Sequence, residues 1–169
     1  MFLFPNPLVN AAAALIPLAV GFVWYHPKTF APAWMEASGT TEEKMRGSNM
    51  AMIFAMVYFF SFVMSFSIDY LVIHQLSLFS IMAADSNHVM DAGSEAAKNY
   101  ASIMEKYGSD FRTFKHGAFH GAVSGITFAL PVLGISAMFE RKSAKYILIH
   151  AGYWVVSMTL MGGVICALT

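Results

Sequence analysis

The sequence predicts an all-α integral membrane protein: a bundle of four transmembrane helices with a short amphipathic helix in its second connection. Three observations predict it. The 169 residues are 57% hydrophobic and 12% charged, against roughly 25% charged in an ordinary soluble domain, which is too little charge to cover a soluble surface. Four apolar segments fit the about 20 helical residues that cross a bilayer core. Cys166 is the single cysteine, so no intrachain disulfide and no multi-cysteine metal site shapes the fold. The length fits one domain, residues 1–169. Ten basic residues balance ten acidic ones, which leaves no electrostatic footprint for nucleic acid.

The first predicted span covers residues 7–25. It is uncharged and ends in Trp24-Tyr25, the residue types of an interfacial belt. Pro17 interrupts its middle and predicts a kink. No Lys or Arg precedes this run, so it reads as a retained signal anchor rather than a cleaved leader. The second span, residues 50–78, is uncharged from Met50 to Ile68 and stays apolar past Asp69 to Ala84. As one helix that run would be about 50 Å long, so it must tilt, protrude or break. The third span, residues 117–139, carries Pro131 as a second kink, and the fourth covers residues 145–168.

The connections differ in chemistry. The first, His26 to Ser48, holds Pro27, Pro32 and Trp34, and Thr40 with Glu43 reads as a capping box. The third, Glu140 to Ala144, is a tight basic turn that makes the last two helices antiparallel neighbours. The second is the longest. Ala96, Tyr100, Ile103 and Tyr107 recur at helical spacing ahead of Gly108, which predicts an amphipathic helix on the bundle end or membrane surface. Asp110 is its expected successor's cap. Lys28, Lys44, Arg46, Arg141, Lys142 and Lys145 crowd the first and third connections. That bias predicts those loops in the cytoplasm and both termini on the periplasmic side of a bacterial inner membrane, in a multi-pass topology.

Polar residues within apolar runs are candidate sites by default. Asp69, His74, His116 and His120 form the candidate polar site. Asp69 lies where the second span leaves the hydrocarbon, so an interfacial carboxylate is expected ahead of a buried proton-handling one. His116 and His120, at i and i+4, share one helix face. With His74 or Asp69 they are weak candidates for a zinc or copper site, or as a facing pair for haem; His88 belongs to the same end by topology. His26 and His150 fall at the opposite face. Gly117, Gly121 and Gly125 form a small-residue stripe that lets helix backbones approach closely, toward another span of this chain or another protein. Cys166 reads as a small buried hydrophobe. Walker A, dinucleotide and GxSxG motifs are missing, so no catalytic residue is assigned; Asp69, His74, His120 and Arg112 are the polar set a lipid-active enzyme would require.

Three stretches carry a family resemblance: Gly21-Phe22-Val23-Trp24-Tyr25-His26-Pro27 followed by Ala33-Trp34-Met35; His116-Gly117-Ala118-Phe119-His120-Gly121; and Phe139-Glu140-Arg141-Lys142-Ser143 running into Ile149-His150-Ala151-Gly152-Tyr153. In this order they resemble a bacterial membrane-protein family catalogued as domain of unknown function 1761. The resemblance implies a compact bundle of about four helices, with Trp24, Tyr25, Pro27 and Trp34 as a fixed interfacial anchor. It implies no activity.

The functional expectation is a non-enzymatic membrane protein that acts by packing, as a homo-oligomer or an accessory subunit. Its partners would be the lipid bilayer and either another membrane protein or itself, with no bound cofactor. Two alternatives stand beside it: a small transporter of protons, ions or solute using Asp69, and a metal- or haem-binding protein using His74, His116 and His120.

Overall fold

The computed structural model describes residues 5–83 and 89–169. The described residues are helical, with no strand among them. In chain order the helices are α1 (Pro7–Ala13), α2 (Ile16–Trp24), α3 (Ala31–Ser38), α4 (Glu42–Arg46), α5 (Met50–Val72), α6 (His74–Met82), α7 (Glu95–Tyr107), α8 (Phe114–Ser124), a π-helical turn (Gly125–Ala129), α9 (Leu130–Phe139) and α10 (Ala144–Leu168). Four stretches are long and apolar enough to cross a membrane: Pro7–Trp24, Met50–Val72, Phe114–Phe139 and Ala144–Leu168.

Both expected proline effects occur, each in its own form. The first span breaks between α1 and α2, and Pro17 sits in the first turn of α2, where its missing N–H costs no helical bond. The Tyr153 hydroxyl donates to the Pro17 carbonyl at 3.0 Å. In the third span the π turn lies just ahead of Pro131, and the Leu130 N–H reaches back to the Gly125 carbonyl. A widened turn of this kind takes up the misfit of a proline ring inside a helix.

The second apolar run breaks rather than tilts. α5 ends at Val72, Ile73 is extended (φ −112°, ψ 92°), and α6 starts at His74. The predicted span of residues 50–78 therefore stops six residues early. α6 turns aside to carry α7, whose Ala96 and Tyr100 are buried with Val89 beside Leu78, Phe79 and Met82. Ile103 and Tyr107, expected on that same face, remain exposed, because α6 covers only the N-terminal half of α7. Gln75 fixes the other end: its Nε2 donates to the carbonyls of Tyr107 (3.1 Å) and Asp110 (2.9 Å), two acceptors that a helix terminus leaves open.

Two caps fall elsewhere than expected. Thr41, not Thr40, caps α4 by accepting from the Lys44 N–H at 3.3 Å; with Lys at the third helical position the reciprocal half of a capping box is missing. Thr113, not Asp110, caps α8 by accepting from the His116 N–H at 3.2 Å, because Asp110 belongs to the turn that ends α7.

α10 is the centre of the bundle. Half of its apolar window is buried inside the protein, against 11% for the third span. The glycine stripe explains why. A Cβ on Gly117 would overlap the Gly162 carbonyl and Cys166, one on Gly121 would overlap the Met158 carbonyl, and one on Gly125 would stand 2.7 Å from the Val155 Cα. Gly162 returns the contact against Gly117. The stripe is thus used inside this chain, as the bed on which α8 and the π turn meet α10. Cys166 is buried as expected, and its thiol donates to the carbonyls of Val72 and Phe111, both at 3.3 Å.

This packing predicts position-specific tolerance. Gly121→Ala pushes a methyl into backbone that cannot rotate away, and should destabilise the protein by about 1–3 kcal/mol. Gly134→Ala, whose new Cβ would meet the Ile147 Cγ2 at an ordinary 3.8 Å, should unfold like the parent. Thermal unfolding in detergent, followed by circular dichroism, checks both.

Candidate functional site

The two ends of the bundle carry different chemistry. At one end the α3 loop meets the last turn between spans. Lys145 Nζ pairs with Glu36 Oε2 at 2.6 Å, and Lys142 Nζ donates to the Ser38 carbonyl at 3.2 Å. The hydrogen bond and charge of Lys145 lower the Glu36 pKa. The pair therefore contributes most above the ordinary carboxylate range and is lost as pH falls through the lowered value. Glu36 is exposed, so that contribution is small.

The anchor residues sit at this end. The Trp24 indole N–H donates to the Ile149 carbonyl at 3.1 Å, and its ring covers Gly152. Tyr25 stands edge-on to Trp34 (ring centroids 5.5 Å apart) and its hydroxyl meets His150 Nδ1 at 3.2 Å. Burial and the neighbouring Tyr153 and Tyr146 push the Tyr25 phenol well above its usual range. Pro27 is exposed in the turn. The residue that closes this turn is Thr29, whose hydroxyl lies 2.6 Å from the Val23 carbonyl and 2.8 Å from that of Trp24. Thr29 carries no motif signal; only its place after a helix end gives it this role. A cleft of about 490 Å³ runs beside Trp24, Phe30 and Leu148.

At the opposite end three of the four candidate polar residues converge. His74 opens α6, and His116 and His120 lie one turn apart on α8. His116 Nε2 is 3.0 Å from His74 Nε2. The ring centroids are 5.0 Å apart for His74–His116, 5.1 Å for His74–His120 and 4.5 Å for His116–His120. One ring nitrogen of each lies within 4.8 Å of the other two, with His74 exposed and the others half-buried. A tetrahedral ion with bonds of 2.0–2.1 Å holds its nitrogens about 3.3 Å apart, a spacing that small side-chain rotations reach from here. Phe111 packs beside His74 and His116. It is a non-glycine residue in the left-handed region, at φ 62°. Its carbonyl is held there by the Cys166 thiol and by the Thr113 N–H at 2.8 Å. Strained backbone of this kind persists only where the surroundings over-determine it. A groove of about 290 Å³ opens next to His74, lined by Leu78, Ile103, Met104 and Phe111. His88 lies outside the described residues.

Asp69 does not join the histidines, nor does it face the interface as expected. It is fully buried, and its Oδ2 accepts from Asn10 Nδ2 on α1 at 2.7 Å. The α5 helix runs on only three residues past Asp69, but α1 and α10 cover it from the side. Asn10 was not a candidate in the sequence, where a lone Asn near the start of an apolar run points nowhere. Arg112, a member of the polar set considered for lipid chemistry, donates through Nε to the Cys166 carbonyl at 3.4 Å, a cation at the C-terminal end of α10.

A helical bundle with a three-histidine cluster at one end defines the class: a small helical protein with four helices long and apolar enough to cross a membrane. The chain belongs to the family described as "Protein of unknown function (DUF1761)", whose model matches residues 8–166. No curated protein and no solved structure matches it.

The anchor makes one prediction. Trp24→Phe keeps the ring over Gly152 but removes the donor to Ile149, and should cost about 1 kcal/mol. Denaturant unfolding of the purified protein measures it.

Proposed function

We propose that this protein works through a divalent transition-metal ion held by His74, His116 and His120 at one end of the bundle. The observation that carries the reading is the common focus of three imidazoles drawn from two helices. Neutral imidazole is a ligand for zinc, copper, nickel and iron. Three protein ligands leave a fourth position for water or substrate, which is the arrangement of catalytic and transfer sites rather than of closed structural ones. Among the described residues no carboxylate hydrogen-bonds to these rings, so the ion would keep its full charge. A mononuclear ion suits the cluster better than haem, since a porphyrin plane would have to enter between nitrogens 3.0 Å apart.

The accessory-subunit reading loses its main support, because the glycine stripe is filled by α10 of the same chain. Lipid remains the expected surround: Phe22, Phe59, Phe60, Phe119 and Phe128 are all exposed on the spans. With the basic loops on the cytoplasmic side of a bacterial inner membrane, the histidine end faces the periplasm.

Calorimetric titration of metal-stripped protein with Zn²⁺ tests the proposal. One ion per chain is expected, and binding should weaken as the buffer is acidified, because protons compete with the ion for the imidazole nitrogens. His116→Ala should lose that binding and His150→Ala should keep it. Binding unchanged in His116→Ala, or none in the parent, would overturn the assignment.

A further inference from the structure

Six polar side chains are buried among the described residues: Asn10, Ser61, Ser65, Asp69, Gln75 and Ser157. Gln75 is accounted for by the end of α7. The other five lie on α1, α5 and α10, the three elements that meet around the bundle axis. Ser61, Ser65 and Asp69 are spaced i, i+4, i+8 and so line one face of α5, spanning about 12 Å along its axis. The bond from the Cys166 thiol to the Val72 carbonyl sets the register of α10 against α5. Four-span topology makes these two helices parallel, so Ser157 lies level with Val63, between Ser61 and Ser65. The Ser65 hydroxyl donates to the Phe62 carbonyl of its own helix at 2.6 Å, and the Ser61 and Ser157 hydroxyls are buried without a partner. Of these five side chains only Asp69 and Asn10 are joined to each other.

The hydrogen-bond accounting of this pair is incomplete. Asn10 Nδ2 serves Asp69 Oδ2, but Asp69 Oδ1 and Asn10 Oδ1 are both buried without a donor. A buried acceptor without a donor is destabilising, because its lost hydration is left uncompensated. Both leftover atoms are acceptors, so the missing group is a donor or a cation. A hard metal cation would want six or more oxygens, and two are free. A single proton on the carboxyl supplies a donor and removes the buried charge in one step. Both helices that hold the pair also end close by, α1 at Ala13 and α5 at Val72. Arg112 forms no ion pair with Asp69 among the described residues; its Nε donates to the Cys166 carbonyl.

We infer that Asp69 and Asn10 form a buried proton-binding site between α1 and α5. The site takes a proton onto the Asp69 carboxyl and releases it again as pH rises. It is separate from the histidine cluster and does not depend on a metal there.

Infrared difference spectroscopy of the protein in lipid vesicles tests this, because a protonated carboxyl absorbs apart from a carboxylate. A carboxyl band that rises and falls with pH, and is lost in Asp69→Asn, is expected. Carbon-13 aspartate in the parent protein, together with Asn10→Ala, which should shift the band by removing its hydrogen bond, gives the same identification should Asp69→Asn fail to fold. No band, or one that ignores pH, would overturn the site; a band that follows Na⁺ rather than pH would replace the proton with sodium. His116→Ala with His120→Ala should keep the band; its loss in that variant would overturn the site's independence of the histidine cluster.

Discussion

The close approach of α8 to α10 is the contact on which the rest of the structure depends. At Gly117 and Gly162 the two backbones stand so near that neither position has room for a Cβ. Helices as apolar as these would have no hydrophobic drive to associate in lipid, where association rests on such close packing and on hydrogen bonds. Everything at the histidine end follows from it. His116 and His120 each immediately precede a stripe glycine. The glycines face α10, and the imidazoles fall on the adjacent face, toward α6. Cys166, one turn beyond Gly162, then bonds the end of α5 and the strained Phe111 turn together.

The breaks in the helices matter as much as the contacts. α5 stops at Val72 so that α6 can swing His74 toward α8; a continuous helix would carry His74 on along the axis of α5. The Tyr153 hydroxyl donates to the Pro17 carbonyl in the first turn of α2, just past the break from α1. The π turn ahead of Pro131 absorbs the ring while Gly125 stays on Val155. Each irregularity is buried in protein or partnered by a side chain, as non-helical backbone at membrane depth must be.

Two polar systems result, and they are kept apart. The histidine cluster is half-open at one end, where an ion and its exchangeable ligand would have access. The Asp69–Asn10 pair is sealed, with Ile68, Val72, Ile73 and Ile165 in the surrounding core. Arg112 lies between the two systems in the chain, but its guanidinium is committed to the end of α10.

Much of the architecture was legible in the residues themselves. Uncharged runs of membrane length, Pro17 and Pro131, the Trp24-Tyr25 terminus and the glycine stripe are local signals, because chain length, missing N–H groups and small side chains act wherever they stand. The i, i+4 spacing of His116 and His120 likewise guaranteed a shared face. Tertiary structure alone decided the rest. Whether α5 continued past Val72, which helix the glycines met, and whether Asp69 faced lipid headgroups or the core all depend on partners distant in sequence. Asp69 needed Asn10, 59 residues away, and His116 needed His74, 42 residues away. No local pattern encodes those pairings, because they are made by packing backbones against one another and not by the helices on which the residues sit.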